Sequence, residues 1–326
     1  MTSFPWQGRS VLVTGASGFL GGWLCEALLA GGARVIALVR DEPRPSGLEL
    51  MGLAGRVTRV NGAVEDGAAC ERALADYEVS VVFHLAAQTL VGVAQRSPVA
   101  TFEANIRGTW TLLDACRRHQ PALAAVIVAS SDKAYGSHDR LPYREEFCLQ
   151  PRFPYDVSKA CAEMIARSFF HAYGLPVAVT RCANLYGGGD LNWSRIVPGT
   201  IRAALCGERP VIRSDGTPVR DYLYVTDAVD GYLKLAGSLG HGRHRGEAFN
   251  FGTDEPLAVL DLTRAILAAC GRGDLEPDVH GTASGEIDRQ FLDSSFARQD
   301  LDWRPQVPLQ AGLDRTVAWY RQQRPW

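Results

Sequence analysis

Residues 10–39 read SVLVTGASGFLGGWLCEALLAGGARVIALV, and this stretch decides the fold. Ser10–Thr14 is short, β-branched and apolar, which predicts a buried strand. Phe19–Ala30 spaces its apolar residues as a helix does and stops at Gly31-Gly32. Arg34–Val39 returns to the strand pattern. Strand, helix and strand in immediate succession form the unit that winds a parallel sheet. Gly15, Gly18 and Gly21 fall between the first strand and the first helix. Glycines there permit a tight turn and let backbone N–H groups approach a pyrophosphate at the helix N-terminus. A glycine triplet alone is weak evidence. One that follows a strand and opens a helix predicts a dinucleotide site, with Phe19 and Leu20 among its residues.

The alternation continues along the chain. Val79–Leu85 and Ala124–Ser130 are apolar on both faces, as strands covered by helices on both sides must be. Val99–Arg118 and Tyr155–Tyr173 have helical spacing. The expected fold is α/β, a doubly wound parallel sheet with a smaller C-terminal substrate-binding lobe. After residue 182, glycine and proline become frequent (YGGGD, GERP, SDGTP), while Ala248–Phe251 and Leu260–Cys270 recover α/β character. The expected division is a dinucleotide-binding domain over 1–182, to which about 216–252 returns, and a lobe over 183–326. There are no internal repeats.

Composition bounds the function. The chain has 326 residues, 46% of them hydrophobic, enough for a sizeable core. With 21% charged residues and a net charge of -2, bulk charge excludes a polyanion binder, so no nucleic-acid partner is expected. No apolar run is long enough for a membrane helix. MTSFPWQGRSVLVTG lacks the pattern of a signal peptide, so the expectation is cytoplasmic, away from membranes. The eight cysteines are scattered without a CxxC pair and read as reduced, mostly buried side chains. His241 and His244 read as a solvated loop, and no metal site is expected.

Tyr155 and Lys159 lie four apart in PYDVSK at the start of a helix, which puts both on one face. A nearby ammonium lowers a tyrosine pKa, suiting the phenol to exchange a proton with a substrate hydroxyl. Ser131, at the end of the strand Ala124–Ser130, would hydrogen-bond the same hydroxyl. Asp132 and Lys133 follow it directly. At the tip of the second strand, Arg40 would pair with a ribose 2′-phosphate and favour NADP. The alternative is a surface arginine beside Asp41.

The order of TGASGFLG, HLAAQ (84–88), NIRGT (105–109), the strand-end serines, YDVSK and RDYLYVTD (220–227) resembles the extended short-chain dehydrogenase/reductases, over nearly the whole chain. That resemblance implies a Rossmann domain plus a small sugar-nucleotide lobe. It also implies a tightly bound, recycled NAD or NADP, and a homodimer formed through two helices per subunit. It places Leu85, Ala86, Ala87 and Gln88 along the cofactor groove, with Gln88 also toward substrate, while His84 reads as a core side chain. Asn105 would order the active site. Asn184 would hold the substrate, and Arg220 and Arg289 would grip its diphosphate.

Within the family the chain is most similar to CDP-glucose 4,6-dehydratases. The shared features are Trp6-Gln7-Gly8, Gly18–Leu24, Ser131–Lys133, Lys159–Glu163 and Gly187–Asp190. It departs at Ala63, where many relatives carry an aspartate, and at Ala134–Ser137, which is more like an epimerase loop. The expected reaction is a redox-neutral 4,6-dehydration. Tyr155, Lys159 and Ser131 would act at the C4 hydroxyl, Lys133 as base at C5 and Asp132 as acid at C6. Asp132 must then be protonated despite the adjacent lysine. A nucleotide-sugar C4-epimerase is the alternative, and an NADP-dependent reductase the third.

Overall fold

The computed structural model describes residues 4–41, 45–282 and 287–326. A seven-stranded sheet forms from β1 (Ser10–Thr14), β2 (Arg34–Val39), β3 (Thr58–Asn61), β4 (Val81–His84), β5 (Ala125–Ala129), β6 (Val177–Cys182) and β7 (Ala248–Phe251). Its order is β3-β2-β1-β4-β5-β6-β7, with every pair parallel. The order reverses between β1 and β4. In a doubly wound sheet, the crevice at the carboxyl ends of those strands is where ligands bind.

Period-two alternation assigns each strand residue to a face. Val11, Val13, Val81, Phe83 and Ile127 enter one apolar cluster, while Leu12, Val82, Val126 and Val128 enter the other. The first cluster is covered by α1 (Phe19–Ala30) through Leu24, Cys25 and Leu28. The second is covered by α2 (Gly67–Ala75), α3 (Gly108–Arg118) and α4 (Pro154–Tyr173), through residues such as Cys70, Leu112 and Ala166.

The expected single helix over Val99–Arg118 is interrupted. A turn at Pro98–Phe102 leads into a π-helical segment, Glu103–Arg107, before α3 begins. Apolar periodicity does not report such a segment, because its residues keep a helix-like spacing. Wide turns of this kind recur at functional sites, and this one carries Asn105.

Beyond β6 the chain leaves the sheet. α5 (Ile196–Cys206) enters a third apolar cluster, built around Tyr186, Ile201 and Tyr224. α6 (Val225–Gly240) then packs beside α1 on the sheet through Ala228, Tyr232 and Leu235, and β7 adds an edge strand. α7 (Val259–Ala269) and α8 (Leu309–Gln323) complete the third cluster with Ile266, Leu313 and Tyr320. Trp23 of α1 joins the two bodies: its indole N–H donates to the Gly188 carbonyl at 2.8 Å. None of the helices among the described residues is long and apolar enough to cross a membrane.

Candidate active site

The β1–α1 loop is held by close backbone packing. Gly15 has φ +71°, and a Cβ there would lie 2.8 Å from the Ala86 nitrogen and 2.9 Å from the Leu85 carbonyl carbon. The loop therefore rests directly on the segment leaving β4. A Cβ on Gly21 would lie 2.1 Å from the Gly15 oxygen, so the helix starts against its own loop. Gly18 caps α1 without a side-chain hydrogen bond. A Cβ on Gly18 would meet only the Gly15 oxygen, at 3.3 Å, leaving the outer face open. An uncapped helix start with an open face, carrying Phe19 and Leu20, fits a pyrophosphate. Arg40 is exposed; its Nε donates to Asp41 at 2.7 Å and its Nη1 lies 3.8 Å from Glu65.

Behind the loop, His84 bridges β1 to α3. Its Nδ1 lies 2.8 Å from Thr14 Oγ1 and its Nε2 3.0 Å from Thr109 Oγ1. Thr109 donates onward to the Asn105 carbonyl at 2.6 Å, so its oxygen accepts from His84 Nε2–H. Thr14 accepts from the Ala86 amide at 3.1 Å and donates to Nδ1. The chain of donors fixes a neutral imidazole. Burial, reinforced by Lys159, holds His84 down at about 3. Asn105 clamps the next segment: its Oδ1 accepts from the Gln88 amide at 2.7 Å, and its Nδ2 donates to the Gln88 carbonyl at 3.0 Å and to Ser158 Oγ at 2.8 Å. Ser158 in turn donates to the Tyr155 carbonyl. One buried amide thus ties residues 85–88 to the first turn of α4.

That turn carries Tyr155, and Ser131, Asp132 and Lys133 lie opposite it at the end of β5. Ser131 Oγ accepts from the Lys133 amide at 3.2 Å and donates to Asp132 Oδ1 at 3.0 Å. Asp132 is buried, and its Oδ2 has no hydrogen-bond partner among the described residues. Burial pushes its carboxyl up, against the pull of Lys133, Ser131 and Arg220. Lys159 Nζ donates to the Ala129 carbonyl at 2.8 Å, and burial pulls it down to about 8.

Tyr155 differs from expectation, because it is pushed up to about 12. Burial is the main cause, with Arg195 and Ser131 pulling the other way. The ammonium of Lys159 is turned toward the strand carbonyl and does not overcome that burial.

The lobe contributes unevenly. Asn184 Nδ2 donates to the Asp221 carbonyl at 3.3 Å. Arg220 is buried, and its Nη1 donates to the carbonyls of Val219 and Asp288. Arg289 is exposed, with its guanidinium over the Phe291 ring. Three neighbours of the site were not read from the sequence. Arg195 spans from Asp190 to Thr89 and acts on Tyr155. Gln290, fully buried, accepts from Lys133 Nζ at 3.5 Å. Asp156 lies beside Lys133 and Asp132; its place directly after Tyr155 was the one available signal.

Residues 11–252 match the model of the NAD dependent epimerase/dehydratase family. A dTDP-glucose 4,6-dehydratase of Actinoplanes sp. is 32% identical over 97% of this chain and 99% of its own length. A CDP-glucose 4,6-dehydratase of Salmonella typhimurium is 30% identical over 97% and 91%. Among solved structures, a dTDP-glucose 4,6-dehydratase of Streptomyces venezuelae with NAD bound superposes with TM-score 0.87 at 30% identity, covering 98% of both chains. A UDP-glucose 4-epimerase of Thermotoga maritima with UDP-glucose gives 0.88 at 30% identity, covering 96% of this chain and 99% of that one. With the model matched over residues 11–252, this chain belongs to the NAD dependent epimerase/dehydratase family.

Proposed function

We propose that this enzyme is a nucleotide-sugar 4,6-dehydratase. One observation carries the reading: a buried carboxyl driven toward its acid form and a lysine stand directly beside the Ser131–Tyr155 pair. Bound NAD supplies the hydride acceptor and donor. Ser131 and Tyr155 hold the sugar's C4 hydroxyl and exchange its proton. A ketone at C4 acidifies the C5 hydrogen. Lys133 takes that proton, and Asp132 delivers its own to the departing C6 hydroxyl. Loss of water leaves a C5–C6 double bond, and return of the hydride to C6 with a proton to C5 would give a 4-keto-6-deoxy sugar nucleotide.

The choice of lysine supports a proton-transfer role. Three of the 34 basic residues are lysines (Lys133, Lys159 and Lys234), so 31 are arginines. Arginine serves an ion pair equally well but does not release its proton. Two of the three lysines flank Tyr155.

A C4-epimerase is the second reading, favoured by the likeness to the UDP-glucose 4-epimerase. It would leave Asp132 and Lys133 without a task. For the cofactor, Arg40 is engaged by Asp41 and lies near Glu65. A 2′-phosphate there would face two carboxylates, which supports NAD over NADP. Val99, Trp110 and Met164 are 70%, 46% and 63% exposed on neighbouring helical segments, which supports a homodimer through that face.

The test is a screen of CDP-, dTDP- and UDP-glucose by mass spectrometry. A dehydratase yields a product lighter by one water. A product of unchanged mass from every sugar refutes the reading.

A further inference from the structure

Gln290 enters none of the proton transfers assigned to Tyr155, Asp132 and Lys133, yet its side chain reaches into them. It is fully buried on the short strand Arg289–Gln290 of the lobe. Its Oε1 accepts from Lys133 Nζ at 3.5 Å. Its Nε2 is buried with no hydrogen-bond partner among the described residues. A buried amide N–H without a partner is a cost that an apolar side chain of the same length would avoid. Packing alone therefore does not account for a glutamine here.

The strand that carries it is pinned. It runs parallel to Val219–Arg220, with Gln290 opposite Arg220. The Val219 amide donates to the Asp288 carbonyl at 2.7 Å, and Arg220 Nη1 donates to the same carbonyl at 3.2 Å. Next along the chain, the Phe291 carbonyl accepts from the Tyr143 amide at 2.9 Å, and the Tyr143 hydroxyl donates to the Gly136 carbonyl at 2.6 Å. Gly136 closes the turn Asp132–Tyr135. The strand and the turn that bears Lys133 are thus joined through Tyr143 as well as through the lysine itself.

A lysine held by nothing samples many rotamers, and a proton-transfer group displaced by an ångström loses much of its rate. We propose that Gln290 is a positioning residue of the elimination: from the lobe, its amide oxygen holds Lys133 Nζ where it meets the sugar's C5 hydrogen. The role rests on the dehydratase reading. In that step Nζ takes the C5 proton, the C5–H electron pair forms the C5–C6 double bond, and the C6 oxygen leaves as water with the proton of Asp132. Positive charge grows on Nζ as the C5–H bond breaks, so a neutral acceptor within reach gains strength at that moment. A carboxylate in its place would favour the charged lysine beforehand.

Gln290→Met keeps the length and the burial and removes the acceptor. Wild type and variant, both loaded with NAD, are given CDP-, dTDP- and UDP-glucose in D₂O. Reduction of the bound NAD, followed by absorbance in a single turnover, should stay within about threefold of wild type, because it precedes the elimination. Loss of water and entry of deuterium at C5 should each slow about 10–10²-fold with KM within about threefold, and reduced cofactor should accumulate. Gln290→Leu repeats the measurement should the methionine variant fold poorly. Equal slowing of cofactor reduction and of water loss would mark a merely structural residue and overturn the proposal, as would unchanged loss of water. A wild-type enzyme that removes water from none of the three sugars overturns the dehydratase reading and this role with it, so the wild-type product tells the two failures apart.

Discussion

His84 shows how burial settles a residue's chemistry. Its folded value of about 3 lies below the 6.5 of an unfolded histidine, so the unfolded chain binds the extra proton. Stability from this residue is full above pH 6.5 and is lost as pH falls toward 3. At pH 5 the loss is about 2 kcal/mol, from 1.36 kcal/mol per unit. His84→Gln keeps an acceptor for Thr14 and a donor for Thr109, and urea unfolding at pH 5 and pH 7 should show this slope removed. An unchanged slope would contradict the neutral bridge. The sequence already suggested a core role for His84, because it ends an apolar strand. The state of Tyr155 was not legible there, because it depends on burial and on Arg195, forty residues away. Arg289, grouped by pattern with Arg220, lies exposed because neighbours in a strand point to opposite faces.

At the scale of elements, the glycine loop is the part where local sequence is enough. The helix over Phe19–Ala30 has the bounds its spacing predicts, because Gly31-Gly32 ends it. Gly21→Ala should force the Gly15 carbonyl away, costing about 1–3 kcal/mol as overpacking does. It should weaken NAD at least tenfold by calorimetry, an order-of-magnitude figure for a distorted phosphate loop. Affinity within twofold of wild type would contradict the packing account. The π-helical segment was not legible, because its apolar side chains keep the helical pattern on both sides. Its consequence, Asn105 reaching Gln88 and Ser158 together, depends on two distant segments.

For the whole molecule, the lobe was expected from loosening of the pattern after residue 182. Its contact with the site was not, because Gln290 and Arg195 reach Lys133 and Tyr155 only through tertiary packing. The exposed apolar face of Val99, Trp110 and Met164 is tested by Trp110→Glu, with sedimentation reporting assembly. The variant should shift from dimer toward monomer with the same secondary structure, and a wild-type monomer would contradict the dimer.

The central claim is elimination across C5 and C6 by Asp132 and Lys133, and the most direct test follows deuterium. Wild type and Asp132→Asn are each given the nucleotide-glucose that wild type accepts, in D₂O. The account predicts a wild-type product lighter by one water with deuterium at C5, and loss of water slowed about 10²–10⁴-fold in Asp132→Asn, as for a lost general acid. A product of the substrate's composition, without deuterium and formed equally fast by both proteins, would contradict it.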